Sequence, residues 1–530
     1  MARKQLAYYL QNLGHDIPAG IVVFLVALPL CLGVALASGA PLFSGLVAGI
    51  VGGVVVSWLS GSQLSVSGPA AGLTVIVLHG IEQVGGFQPF LVAVVLAGVL
   101  QLILGFLKAG VIGAYFPSAV IRGMLTAIGL ILIMKQLPHA VGYGVDVVVD
   151  ETYYPEQPSS AFFEIGDALK AISLGSTLVT AVALIIMIAW ESSFIKRNRL
   201  LSLAPGPLVA VLWGVIFGVS TQGTPLELSG QHLVSLPAHH TLGDLIGHLV
   251  FPDFSAIINP QVLTLSVTIA IIASLETLLS LEAVDKLDPF RRVAPTNQEL
   301  KAQGIGNILS GLLGGLPMTS VIVRSSANVN AGGRTKVSSF VHGLLLLLSV
   351  VFLVDWINTI PLAALASILL ITGYKLAKPA IFIDMFRRGK DQFLPFVITV
   401  SAILATDLLK GIAIGIVLGL IFVMRANFRA AISLTQDGNN YLIRLRKDVS
   451  FLNKALLREV LDKVEPNGHV IIDGTRAEFI DKDILGAIIN YLKAAQDSNI
   501  TVHLRNIAGV SGHGHEVAQS GALGPAEAGH

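Results

Sequence analysis

The fold class that this sequence predicts is an α-helical polytopic membrane protein followed by a small α/β domain. Three observations predict it. Of 530 residues, 53% are hydrophobic and 13% charged, and the mean hydropathy is +0.76, whereas soluble domains carry charge on about a quarter of their residues. Apolar runs long enough to cross a bilayer, about 20 residues each, recur through the first 430 residues. Beyond Arg429 the pattern turns to short alternating and amphipathic segments.

The runs fall at 17–37, 41–60, a short one near 68–82, 89–107, 111–134, 172–190 and 201–219. They continue at 261–284, 300–314, a short one near 318–331, 337–356, 360–374, 392–407 and 411–428, fourteen in all. The first is too long for a cleavable signal, and no small-residue cleavage site follows it. With an even number of spans both ends of the domain share a side. Arg3, Lys4, Lys108, Lys196, Arg197, Arg199, Lys286, Arg291, Arg292, Lys301, Arg334, Lys336 and the Arg387-Arg388 pair fall there, while the opposite loops hold chiefly Lys135, Lys170 and Lys410 and the acidic "VDVVVDETYYPEQP". Positive charge marks the cytoplasmic face, so both termini are expected in the cytoplasm and the chain in the plasma membrane. A net charge of +1 gives no sign of nucleic-acid binding. The lone Cys31 sits in an apolar span, without a partner for a disulfide or metal.

Two of the runs are short and broken by Gly and Pro: "GSQLSVSGPAAGLTVIV" around Pro69 and "GGLPMTSVIVRSSANVNAGGRT" around Pro317. Each is followed by a similar loop-to-helix proline, Pro117 in "YFPSAVIRGML" and Pro361 in "TIPLAALASIL", at spacings of 48 and 44 residues. The halves therefore match with an offset of about 245 residues, and seven spans per half is odd, so the second copy enters from the opposite face. Interrupted segments at matching places of an inverted repeat point to a transporter's binding site.

A half-helix beginning at mid-membrane aims free N–H groups and about half a positive charge at what lies ahead. Two such ends make an anion site. Ala70, Ala71 and Gly72 after Pro69 allow close approach, and Thr319 and Ser320 add hydroxyls. The expected anion-binding set is Pro69, Ala70, Ala71, Gly72, Thr319, Ser320, Val321, Arg324 and Ser325. Arg324 lies in an otherwise uncharged apolar run, where a guanidinium needs a partner or a wet cavity. A bound anion supplies one, and Glu276 in "TIAIIASLETLLSLEAVDKL" is expected to do so otherwise, as the other deep charge. Ser280 lies one turn along the same face. Glu276 and Ser280 form the expected coupling-ion set, with Glu276 carrying a proton or helping to hold Na⁺. No cofactor is expected beyond that H⁺ or Na⁺. His79 and His342 read as satisfied polar groups near span ends, and Asp407 with Lys410 as a helix-end contact.

In the C-terminal part, "NNYLIRLRKDV" alternates like a strand and "SFLNKALLREVLDKV" is an amphipathic helix. "HVIIDGT" reads as a buried strand, "DKDILGAIINYLKAAQDSN" as a second helix and "ITVHLRN" as another strand. Strands alternating with helices make a small α/β domain. The expected division is a transporter domain over 1–430, an α/β domain over 435–507 and a disordered tail over 508–530. The Gly/Ala composition of that tail outweighs the metal-binding potential of His513 and His515.

The motifs "DIPAGIVVFLVALPL", "LSVSGPAAGLTV", "ASLETLLSLEAVDK", "NQELKAQGIGN", the Pro317 stretch and "TDLLKGIAIGIVLG" together resemble the SulP family of anion transporters. Its members include sulfate permeases, cyanobacterial bicarbonate transporters and the motor protein prestin. The resemblance runs from Asp16 to Asn506, and the C-terminal domain is similar to a STAS domain. It implies a seven-plus-seven inverted repeat related to that of uracil permeases. Spans 1–4 and 8–11 would form a core domain and spans 5–7 and 12–14 a gate, with the third and tenth spans head to head around the anion. The family's basic residue after the tenth-span break falls on Arg324 and its eighth-span carboxylate on Glu276. In Na⁺-dependent bicarbonate members that carboxylate is a cation ligand, aided by a hydroxyl one turn on, here Ser280. The fixed charge of Arg324, which those members lack, favours proton coupling. Leu30 stands where many sulfate carriers have a polar residue, which leaves the anion open. The STAS-like part stops after "ITVHLRN", and its "FIDKDIL" lacks the Ser that STAS anti-sigma antagonists phosphorylate, which argues against phospho-switching by that route and leaves dimerisation through it open.

The expected function is secondary active transport of sulfate or bicarbonate by alternating access. An anion channel or voltage-sensitive anion-binding protein of the same fold is the alternative. A nucleobase permease fits less well, because it would offer a carboxylate or amide where this chain has Arg324. No nucleophile–base pair or phosphate loop suggests an enzyme. The expected partners are the small anion, the lipid bilayer and a second copy of the chain.

Overall fold

The computed structural model describes residues 2–111, 117–143, 172–192, 195, 204–228, 230–237, 247–406, 408–429 and 431–507. The acidic loop, Lys170, the basic cluster at 196–199, Asp407 and the tail with His513 and His515 lie outside the described residues. The chain divides into two compact units, Met1–Ile416 and Val417–His530.

The first unit is helical. It opens with α1 (Ala2–Ala37) and α2 (Leu42–Val51), the latter continuing through a π-helical turn over Gly52–Val56. Strand β1 is Ser67–Pro69, and after a 3-10 turn over Ala71–Leu73 comes α3 (Thr74–Val84). Helices α4 (Phe87–Phe106), α5 (Ser118–Ala140), α6 (Leu174–Trp190) and α7 (Gly206–Ser220) follow. Next are α8 (Pro260–Leu287), α9 (Thr296–Leu312), β2 (Met318–Ser320), α10 (Ile322–Asn330) and α11 (Val337–Phe352). The unit closes with α12 (Leu362–Leu376), the amphipathic α13 (Pro379–Arg387) and α14 (Lys390–Ala405), and α15 (Leu408–Arg429) leads out of it.

Among the described residues, six helical stretches are long and apolar enough to cross a bilayer, and further apolar helices are shorter. Ile185, Ile188, Ile216 and Val219 on α6 and α7 point outward, as apolar residues do when lipid is the solvent.

Hydrophobicity drives no association between helices inside lipid, so packing decides it, and small residues let backbones meet. Three seams follow this rule. A Cβ on Gly53 would lie 2.4 Å from the Gly343 Cα, joining α2 to α11. One on Gly98 would lie 2.6 Å from the Gly304 oxygen, joining α4 to α9, and one on Gly129 would lie 2.6 Å from the Gly373 oxygen, joining α5 to α12.

The second unit holds a four-stranded sheet in the order β3 (Ile432–Asp437), β4 (Asn440–Leu445), β5 (His469–Asp473), β6 (Thr501–Arg505). The first pair is antiparallel and the others parallel. Helices α16 (Lys454–Leu461) and α17 (Lys482–Asp497) pack with Tyr441, Ile443, Val470, Ile472 and Ile488 into a core of their own. The sequence reading omits β3, whose polar half alternates weakly and whose turn needs Gly438 at φ +55°. The "HVIIDGT" strand is β5, which buries Val470 and Ile472 and exposes Ile471, so its sheet is covered on that side only partly.

Candidate functional site

The two interrupted segments meet. Proline has no N–H to continue a helix, and at Pro69 and after Pro317 the chain runs as strand. β1 and β2 pair antiparallel, with Ser67 opposite Ser320, Gly68 opposite Thr319 and Pro69 opposite Met318. The Val321 N–H extends the ribbon by donating to the Val66 oxygen at 2.9 Å. The turn leading to α3 leaves from the Pro69 end and α10 from the Ser320 end. Their N-termini therefore face each other across a ribbon about 10 Å long, each bringing about half a positive charge.

The ribbon itself is buried, whereas Ala71, Val321 and Glu276 are partly exposed and form its open side. Glu276 comes in from α8. The backbone N–H of Gly72 faces its carboxylate, and a Cβ on Gly72 would lie 2.6 Å from Oε2. That oxygen is inaccessible and accepts no hydrogen bond. A carboxylate thus rests on the start of the first half-helix, where an anion would also be held. Ser280, buried one turn further along α8, makes no hydrogen bond to it.

Arg324 lies on the other side of the ribbon, 1% exposed. Its Nη2 donates to the Pro69 oxygen at 3.3 Å, and a Cβ on Gly68 would lie 2.2 Å from Nη1. Cys31 of α1 is beside it, and His342 of α11 is within reach of its charge. The expected pairing of Arg324 with Glu276 is absent, because the ribbon stands between them and each charge turns to backbone instead. In a planar trans peptide the C=O and N–H point in opposite directions. By holding the Pro69 carbonyl, Arg324 polarises the Ala70 N–H on the far side.

The expected hydroxyls turn inward. Ser320 Oγ lies 2.6 Å from Ser65 Oγ, Thr319 Oγ1 donates to the Ser320 oxygen at 3.2 Å, and Ser325 Oγ donates to the Val321 oxygen and accepts from the Val66 N–H. Thr277 Oγ1, from α8, accepts from the Ser320 N–H at 3.3 Å. The structure therefore brings the residues around Pro69, those around Ser320 and Glu276 together, and separates the guanidinium from the opening.

The sulfate permease family profile matches residues 13–399 and the STAS domain profile residues 431–513. The chain belongs to the sulfate permease family. It is a membrane transporter of an anion-transporting family, not an enzyme. YvdB of Bacillus subtilis (strain 168), named for sulfate transport, is 28% identical to the permease over 84% of this chain and 79% of its own. The transmembrane domain of the cyanobacterial bicarbonate transporter BicA is 24% identical, with a TM-score of 0.62 over 77% of this chain and 97% of that one. The murine Solute Carrier 26 family member A9 anion transporter, in its inward-facing state, is 16% identical, with a TM-score of 0.72 over 93% and 85%. These last two likenesses are of fold.

Other buried polar residues of the permease escape the sequence reading. Two further acids, Asp16 and Glu299, are fully buried. Asp16 accepts from the Thr335 hydroxyl and from the Arg334 and Thr335 N–H groups. His342, read as a span-end group, is fully buried, with neither ring nitrogen hydrogen-bonded. A polar stripe in "NQELKAQGIGN", at four-residue spacing, was the available signal for α9.

Proposed function

We propose that the permease moves sulfate or bicarbonate across the plasma membrane by alternating access, driven by H⁺ or Na⁺. The anion sits between the half-helix N-termini, among Pro69, Ala70, Ala71, Gly72, Thr319, Ser320, Val321 and Ser325, with Arg324 supplying charge from behind. The carrying observation is the Glu276 carboxylate at the Gly72 N–H. Two negative groups cannot share one helix N-terminus, so neutralising Glu276, by a proton or by Na⁺ with Ser280, favours anion entry. Proton coupling is preferred, because Arg324 already provides fixed positive charge.

The reading includes a core of spans 1–4 and 8–11 and a gate of spans 5–7 and 12–14 as inverted repeats, cytoplasmic termini, and a homodimer. The glycine seams support the repeat. Exchanging span n with span n + 7 turns the α2–α11 seam into the α9–α4 seam and returns the α5–α12 seam and the β1–β2 ribbon to themselves. The test is uptake of labelled sulfate and bicarbonate by purified protein in liposomes under imposed pH and Na⁺ gradients. Accumulation of either anion driven by one gradient is expected. Accumulation of neither would sink the proposal, and a conductance far above carrier turnover would favour a channel.

A further inference from the structure

The faces that carry the ribbon also hold it in register. Glu299, Gln303 and Asn307 follow one another at four-residue spacing along one face of α9, all fully buried. A polar stripe in an apolar helix is costly unless its groups are satisfied, and of the side-chain polar atoms of these three residues Gln303 Oε1 alone has no partner. Gln303 Nε2 donates to Ser67 Oγ of β1 at 2.6 Å and to Glu299 Oε1 at 2.9 Å. The Ser60 hydroxyl donates to the other Glu299 oxygen, which anchors the turn leading into β1. Asn307 works on the opposite strand. Its Oδ1 accepts from the Met318 N–H at 2.7 Å, and its Nδ2 donates to the Met318 oxygen at 3.1 Å and to Gln101 Oε1 of α4 at 2.6 Å. Gln101 in turn donates to Ser274 of α8 at 3.3 Å, two residues before Glu276.

We propose that Gln303 and Asn307 are positioning residues of the anion site: one grips β1 and the other β2, and together they set the register in which the two half-helix N-termini face each other. Neither touches the open side, so both act through the ribbon. Asn307 additionally ties β2, through Gln101, to the helix that carries Glu276. The role as a determinant of anion affinity rests on the transport reading, whereas the grip on the ribbon does not.

Two measurements test it in the full-length protein. Gln303→Met and Asn307→Leu remove the polar atoms at similar volume, and Asn307→Asp keeps the acceptor for the Met318 N–H. In liposomes, KM for labelled sulfate or bicarbonate should rise about tenfold in the first two, the cost of one lost buried hydrogen bond, with turnover little changed, and Asn307→Asp should recover part of the loss. Gln303→Met combined with Ser67→Ala should be no worse than Gln303→Met alone, because both break one contact. Unchanged KM, additive effects, or a fall in turnover alone would overturn the proposal. The second measurement needs no anion. Ser65→Cys with Ser320→Cys should form a disulfide on oxidation, since the two hydroxyl oxygens lie 2.6 Å apart. Adding Asn307→Leu should reduce its yield several-fold, and a yield that does not change overturns the grip whatever the chain transports.

Discussion

Glu276 and Arg324 are separated by a two-stranded ribbon, so each is expected to fail in its own way. Glu276→Gln keeps the shape and removes the charge at the Gly72 N–H. It should bind and exchange anion but lose its response to a pH gradient, or to Na⁺ if Na⁺ is the coupling ion. Uptake by the Gln variant against a gradient, driven as in the wild type, would rule out both versions. Wild-type uptake should accelerate as external pH falls if the proton is the coupling ion, because a protonated Glu276 no longer competes for the half-helix. Arg324→Ala leaves the buried Pro69 oxygen unpaired and withdraws the positive charge. Anion affinity should fall at least tenfold by equilibrium binding, on the scale of a lost charged hydrogen bond, about 1.5–3 kcal/mol. Arg324→Lys should recover only part, since an ammonium lacks the planar fork. Both residues were legible because a charge in an apolar run stands out. Their facing was not legible, because which side of the ribbon a long side chain takes depends on local packing such as that at Gly68, where a Cβ would lie 2.2 Å from the Arg324 Nη1.

Among the elements, the broken segments and the long apolar helices could be read from Pro, Gly and hydropathy. The ribbon's pairing, the π-helical turn and the partners of the α9 stripe could not, because each depends on a neighbour far off in sequence. The α2–α11 seam offers a direct check. Gly343→Val would push a side chain into Gly53, with a Cβ only 2.6 Å from backbone atoms. It should lower the melting temperature by several degrees, in line with about 1–3 kcal/mol for overpacking, whereas Gly14→Ala on α1, where a Cβ meets open space, should have a far smaller effect. In the C-terminal sheet, the Thr475 hydroxyl and N–H, then Arg444, hold the Asp473 carboxyl below the ordinary range, outweighing its partial burial. The unfolded chain therefore binds the proton more readily, so this contribution is present above about pH 4 and is lost as pH falls through the folded value. Thr475→Val should destabilise a fragment over 431–507 at pH 7, and urea titration should find the gap to wild type closing towards pH 2.

For the whole molecule, every residue assigned to the anion lies in the first unit. Truncation after Ala431 should therefore leave an inserted protein whose anion affinity is close to that of the full chain, measured in detergent. Complete loss of binding in a folded truncation would show the site to be misplaced. Oligomeric state is the property expected to change, and light scattering on both forms would read it.

Cys31 is the chain's one thiol, fully buried between Gly49 and the Arg324 guanidinium. A bulky, membrane-impermeant maleimide cannot reach it there. The native permease is accordingly a blank background for attaching fluorophores or spin labels: a cysteine placed at an exposed position such as Gln222 or Lys390 would be the only one to react, and no replacement of Cys31 beside the guanidinium would be needed first.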